Sequence, residues 1–145
     1  MNVSGGKISG TKRAIWAQAS SSSEAAPAKG EINVSGGEVG LIETARNATA
    51  QSMTTVTGGT VEAFKGEAGE LKVTKDGTVA TVTIYDAAGN EIAYAVADGM
   101  YIAAAAAIGS VGYNSLAAAL SAAKAGDTVT LLTDLTMSEI LVIDK

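Results

Sequence analysis

The 145-residue chain contains no cysteine and no histidine, and only one proline, one tryptophan and one phenylalanine. Without cysteine there is no disulfide framework and no thiolate metal site. Without histidine, the commonest general base, the serine–histidine nucleophile pair and imidazole metal ligation are all excluded. Aromatic residues make up only 4% of the chain, so Val, Ile, Leu and Ala must fill the interior. Such residues suit thin, regularly stacked layers better than a wide centre. Basic runs are absent, and the formal net charge is −5 from 10 basic and 15 acidic residues. That leaves no footprint for a phosphate backbone, and no nucleic-acid partner is expected. The apolar stretch Ile92–Ile108 is broken by Asp98 and Gly99. It falls short of the ~18 uninterrupted apolar residues of a membrane helix, so no membrane insertion is expected. The opening MNVSGGKISG has neither the charged nor the apolar region of an export signal.

What the chain does have is glycine, 17 residues of it, much of it in a recurring phrase. NVSGGKI (Asn2–Ile8), INVSGGEV (Ile32–Val39) and TVTGGTV (Thr55–Val61) align at Asn2, Asn33 and Thr55, at offsets of 31 and 22 residues. Offsets near ~20–50 residues mark repeat architectures. Within the phrase, apolar and polar residues alternate as in a half-buried strand, and the Gly pair inside that pattern indicates a bend. Each phrase leads to a second apolar segment: Arg13–Gln18, Val39–Thr44 and Val61–Phe64. Strand, bend, second strand and variable loop together make one coil of a solenoid. The polar segment Ser20–Gly30, which holds the only proline, reads as a loop inserted in the first coil and accounts for the longer offset.

From Leu71 the pattern changes. Asp76-Gly77 separates Leu71–Thr74 from Thr78–Tyr85, and Ala87–Asn90 separates that strand from Glu91–Ala97. Asp-Gly between alternating strands signals a hairpin, so a three-stranded antiparallel meander is expected, with Ala80, Val82 and Ile84 on one face. Met100–Gly112 carries alanines that favour helix, but its flanking isoleucines and glycines and the missing cap tip the reading to strand. Asn114–Lys124 reads as a helix, capped by Asn114 or Ser115, with Leu116, Leu120 and Ala123 on one face. The open end of a sheet stack is a candidate place for that stripe to dock. Thr128–Thr133 and Glu139–Ile143 read as two further strands.

The run YNSLAAALSAAKAGDTVTLLTDLTMSEILVIDK (Tyr113–Lys145) resembles the opening of right-handed parallel β-helix domains of the pectate-lyase-like kind. The VSGG phrases resemble later coils of such domains in repetitive bacterial cell-surface proteins. The resemblance implies an all-β fold: right-handed parallel β-helix (solenoid) coils over 1–70, an antiparallel meander or connector over 71–112, and over 113–145 a short capping helix plus strands like the start of a β-helix unit. The opening follows the coils here instead of preceding them. Either the segment spans the end of one unit and the start of the next, or its last strands stack on the first coil of another copy.

The family includes polysaccharide lyases and hydrolases, which cluster acids with a basic residue and in several cases calcium. Here the acids of the coils (Glu31, Glu38, Glu43, Glu62, Glu67 and Glu70) are scattered. Glu38 and Glu62 hold nearby phrase positions, and a carboxylate pair can do acid–base work on a glycoside; the plainer reading is two solvated outer-face acids. Trp16 and Tyr101 are rings able to stack on sugars, although a lone Trp beside Ile15 more often packs into a core or a coil end. The glycine phrases lack the Lys-Ser/Thr ending of a phosphate loop, and no Asp-x-Asp-x-Asp-Gly loop is present. No catalytic residue, metal site or cofactor is therefore expected.

Strand ends of a solenoid expose unpaired backbone groups that nature caps or uses. Asn2, Val3 and Ile8 mark one such edge, and Ile140 and Val142 the other. They predict self-association by strand addition, unless neighbouring coils of a longer chain cover them. The expected function is a structural or adhesive module, extracellular or at the cell surface, assembling head to tail. A carbohydrate-binding or polysaccharide-cleaving domain is the alternative.

Overall fold

The computed structural model describes residues 1–18, 29–44 and 51–136. The chain is predominantly β, with one short helix. The larger sheet is built on strands β1 (Asn2–Ile8), β2 (Ile15–Ala17), β3 (Lys29–Thr44), β4 (Gln51–Glu67), β5 (Leu71–Val73) and β6 (Thr78–Tyr85). β1 and β2 pair with β3, β3 with β4, and β4 with both β5 and β6, all of them parallel.

The repeated phrases set the register. Val3, Val34, Val56 and Val73 are successive Cα partners across the stack. So are Ile8, Val39, Val61 and Val79, and Ile15, Ile42, Phe64 and Val82. The inner members of these columns (Val34, Val56, Val61, Ile42 and Phe64) are fully buried. Each such side chain contributes about 1.5–3 kcal/mol relative to exposure, so identical phrases stabilise one another by lying in register.

The glycine pairs have a steric role in the same register. A Cβ on Gly36 would sit 2.6 Å from the Ser4 carbonyl oxygen, and one on Gly58 2.6 Å from that of Ser35. Gly37 (φ 84) and Gly59 (φ 74) sit in the left-handed region with the previous strand's backbone equally close. The bend in each strand can therefore nest on the bend before it only where both residues lack a Cβ.

A fourth phrase joins the stack where the sequence suggested a hairpin. VTKDGTV (Val73–Val79) follows the pattern of VTGGTV (Val56–Val61) with one extra residue, and β5 and β6 both lie parallel to β4 instead of folding back on each other. Asp76-Gly77 is thus a bend between two parallel segments, not a hairpin turn. A Cβ on Gly77 would be 2.5 Å from the Val56 carbonyl oxygen, the same close approach as in the earlier phrases. On β6, Ile84 is buried and Val82 half-buried, but Ala80 is exposed: it lies in the two-residue corner between Val79 and Val82, where strict alternation lapses. In the first phrase, residues 9–14 occupy the corner between Ile8 and Ile15 that takes only two residues between Val39 and Ile42. Part of the longer first offset therefore arises at this corner. Of the expected loop, Lys29 and Gly30 belong to β3, and residues 20–28 lie outside the described residues.

Antiparallel strands border the stack on the side away from β1. β7 (Glu91–Ile92) pairs with β6 across a turn in which Asn90 donates to both Asp86 carboxylate oxygens, at 2.8 and 3.0 Å. The Asn90 side-chain amide, more than any other group, holds the Asp86 carboxyl below its ordinary range. β8 (Tyr94–Ala97) and β9 (Met100–Ala103) form a hairpin whose turn residues Asp98 and Gly99 have φ of 50° and 79°, and β9 meets β5 at Lys72 and Met100. Tyr94 and Tyr101 face each other across this hairpin at 5.2 Å, and burial pushes the Tyr101 hydroxyl above its ordinary pKa.

The expected strand Met100–Gly112 is broken: after β9 the alanine run leaves strand at Ala104 and Ala105 and resumes as β10 (Ala106–Ile108). With β11 (Val111–Tyr113) and β12 (Val129–Leu131) it makes a separate antiparallel sheet. The helix α1 (Leu116–Ala122) starts at Ser115, whose Oγ accepts from the Ala118 amide at 3.1 Å. It packs on β10, β11 and β12. Its buried residue is Ala119, while Leu116, Leu120 and Ala123 are half-buried. The strand expected at Glu139–Ile143 lies outside the described residues.

Candidate functional site

The outer face of the parallel stack presents columns of polar residues at the same register as the buried ones. Lys7, Glu38, Thr60 and Thr78 are successive partners. Beside this column, Glu62 lies over Gly40, its Oε2 3.8 Å from where a Gly40 Cβ would stand. The structure thus brings Glu38 and Glu62 together: both line a groove of about 140 Å³, with Lys7, Ser9, Thr60 and Ile8. The Lys7 ammonium lies 3.2 Å from the Glu38 carboxylate. Lys7 went unnoticed in the sequence, although aligning the phrases puts it opposite Glu38.

The chemical capacity of this groove is modest. The Lys7 and Glu38 side chains are 72% and 66% exposed, so water and salt screen their attraction. Lys7→Ala is expected to change unfolding free energy by no more than ~0.5 kcal/mol in urea titrations. A larger loss would mean that the pair braces the edge strand.

Trp16 does not line this groove. It is 52% exposed on β2, opposite Glu43. The Arg13 guanidinium stacks on its ring at 3.9 Å, and Arg13 Nε lies 2.9 Å from Glu43 Oε2, without the alignment of a hydrogen bond. One face of the ring is therefore taken by a cation held in place by an acid, a common arrangement for arginine on indole.

One acid from the scattered set is not on the surface. Glu70 is 7% exposed. Its Oε2 accepts from the Glu67 amide at 2.8 Å and from the Thr44 hydroxyl, and its Oε1 accepts from the Ser52 amide at 3.1 Å. Gly66 makes room for it: a Cβ there would be 2.9 Å from Glu70 Oε2. Every partner of this carboxylate is a donor, so the arrangement ties the ends of β3 and β4 to the turn at Ala68-Gly69 and presents no ligand set for a cation. Among the described residues no group of three or more acidic side chains is placed to hold a metal ion.

The expected assembly edge at Asn2, Val3 and Ile8 lies on β1, whose sole strand partner among the described residues is β3. Its character differs from the expectation in one respect. Val3 is only 4% exposed and Ile15 8%, so this edge is a row of backbone groups without a bare apolar layer. Ile140 and Val142, expected at the opposite edge, lie outside the described residues. A larger hollow of about 750 Å³ with a mixed lining lies between β6, β8 and β11, bordered by Val82, Glu91, Tyr94, Val96, Ser110 and Val111; it forms between strands distant in the chain and so has no local signal. No helix among the described residues is long and apolar enough to cross a membrane. Comparison of the chain with models of protein families, with curated proteins and with solved structures finds no match.

Proposed function

We propose that the chain is a non-catalytic structural or adhesive module of a bacterial surface or fibre protein, in which the glycine phrases stack as coils of a right-handed β-solenoid and a strand edge joins it to a neighbour. The supporting observation is the in-register parallel column Val3–Val34–Val56–Val73, with a glycine-dependent bend nested at each level. A stack of this kind extends by adding levels, and its regular outer face is a surface for contact. The extracellular or cell-surface setting follows from that role. Light scattering over a concentration series tests it: the expected result is a mass that rises with concentration, and a monomer of constant mass overturns self-assembly.

The carbohydrate reading rests on a different observation, the shared groove of Glu38 and Glu62. A glycan array combined with a polysaccharide-cleavage screen decides between the two. Binding or cleavage lost on Glu38→Ala or Glu62→Ala would favour the groove as the working site.

A further inference from the structure

We infer that the edge of β1 left unpaired among the described residues is a receptor for one more strand of the same phrase, added parallel and in the register that the later phrases already use. This deepens the assembly reading above by naming the segment that the edge accepts. The basis is a set of backward contacts made by the second and third phrases. Asn33 Nδ2 donates to Asn2 Oδ1 at 3.1 Å. Ser35 Oγ donates to the Val3 carbonyl at 3.4 Å, and Thr57 Oγ1 to the Val34 carbonyl at 3.5 Å. Gly36 and Gly58 lack a Cβ where the preceding serine carbonyl lies 2.6 Å away.

β1 carries the same three residues, Asn2, Ser4 and Gly5, and all three are exposed. None of them makes its backward contact among the described residues. Gly5 is the most telling. Its φ is not in the left-handed region, and a Cβ there would meet nothing within 4 Å. Neither conformation nor packing among the described residues requires glycine at that place. A strand laid on β1 as β1 lies on β3 would put its own serine carbonyl over Gly5, its valine carbonyl within reach of the Ser4 hydroxyl, and its asparagine oxygen within reach of the Asn2 amide. Main-chain hydrogen bonds would hold it, as in other strand additions, and the glycine would set its register. The partner is therefore an extended segment of the form Asn-Val-Ser-Gly-Gly from another protein built of such phrases, because in a folded copy of this chain the phrases on β1, β3 and β4 already use the edge that the added strand must offer.

The test uses the full chain and a fluorescently labelled peptide of its own residues 30–41 (GEINVSGGEVGL) as probe, followed by anisotropy. The expected result is saturable capture by the wild type. Capture should weaken at least tenfold in Gly5→Val while the melting temperature of that variant is unchanged, and a scrambled peptide should not be captured. No capture by the wild type, equal capture by Gly5→Val, or equal capture of the scrambled peptide each overturns the inference. Light scattering on the same samples keeps the two readings apart. Self-association without capture of the peptide overturns this edge as the receptor and leaves assembly standing; capture by a chain that stays monomeric supports the receptor and overturns self-assembly.

Discussion

Gly37→Ala should destabilise the chain by about 3 kcal/mol, whereas Gly6→Ala, at the same place in the first phrase, should cost only ~1 kcal/mol. The two glycines share a left-handed backbone, with φ of 84° and 76°. An alanine in that region is strained by about 1 kcal/mol or somewhat more wherever it occurs. The difference between them is the neighbouring level. A Cβ on Gly37 would sit 2.5 Å from the Gly6 carbonyl oxygen, and one on Gly6 would meet nothing within 4 Å. Backbone cannot swing aside as a side chain does, so the close contact adds an overpacking cost of about 1–3 kcal/mol. For a chain of this size the Gly37 variant should melt roughly 6–12 °C lower, which calorimetry or circular dichroism would measure. Equal losses for the two variants would show that backbone conformation alone, not nesting, requires glycine. The fourth phrase supports the separation. There the left-handed residue is Lys75 (φ 56), while close approach falls to Gly77, 2.5 Å from the Val56 oxygen.

Glu70→Ala should be as damaging, at about 3–5 kcal/mol, with Glu70→Gln intermediate at about 1–2 kcal/mol. Removing the carboxylate takes the acceptor from the buried Ser52 amide and the half-buried Glu67 amide, and leaves the Thr44 hydroxyl only its longer contact with the Lys65 carbonyl, at 3.5 Å. A buried donor without a partner costs about 1–3 kcal/mol. Glutamine keeps one oxygen, enough for the two donors at Oε2, and turns its amide nitrogen towards the Ser52 amide, so one bond is lost and replaced by a donor–donor clash. Chemical denaturation of the three proteins should therefore rank wild type, Gln and Ala in that order. A Glu70→Ala variant as stable as wild type would mean that the donors find other acceptors and the carboxylate does not tie the strands together.

The parallel register could be read from the residues because it is written in small steps. Each phrase repeats a valine, a hydroxyl and two glycines in fixed order, and the structure aligns those letters column by column. The fourth phrase was hidden by its own turn chemistry. Asp-Gly serves a hairpin and a bend between two parallel segments equally well, since both need tight backbone; whether the next strand returns or runs on is settled by what lies beside it, here β4. The shared reading of VTGGTV and VTKDGTV was present in the letters but required an allowance for one inserted residue. The groove followed the same rule: Glu38 and Glu62 could be brought together by aligning phrases, and Lys7 could have been. Glu70 could not. A glutamate after a Gly-containing turn looks like any solvated acid, and its burial depends on Gly66, Thr44 and Ser52 meeting around it from three separate stretches of chain. Ser115 was one of two local candidates for the cap, and the strand expected over Met100–Gly112 is divided among β9, β10 and β11, with Ala104 and Ala105 outside any strand.

Six residues at one corner of the first level stand where two suffice at the next, yet Ile8 and Ile15 keep their partners on β3. Lengthening a corner costs only a slowly rising closure entropy, whereas a single residue gained inside a strand would turn every following side chain to the wrong face. The stack thus divides its own sequence into segments of fixed length and segments free to grow. Insertions and deletions in descendants of this chain should gather at the corners, and a foreign peptide grafted between Ala80 and Thr81 should be carried on the outside without disturbing the valine columns within.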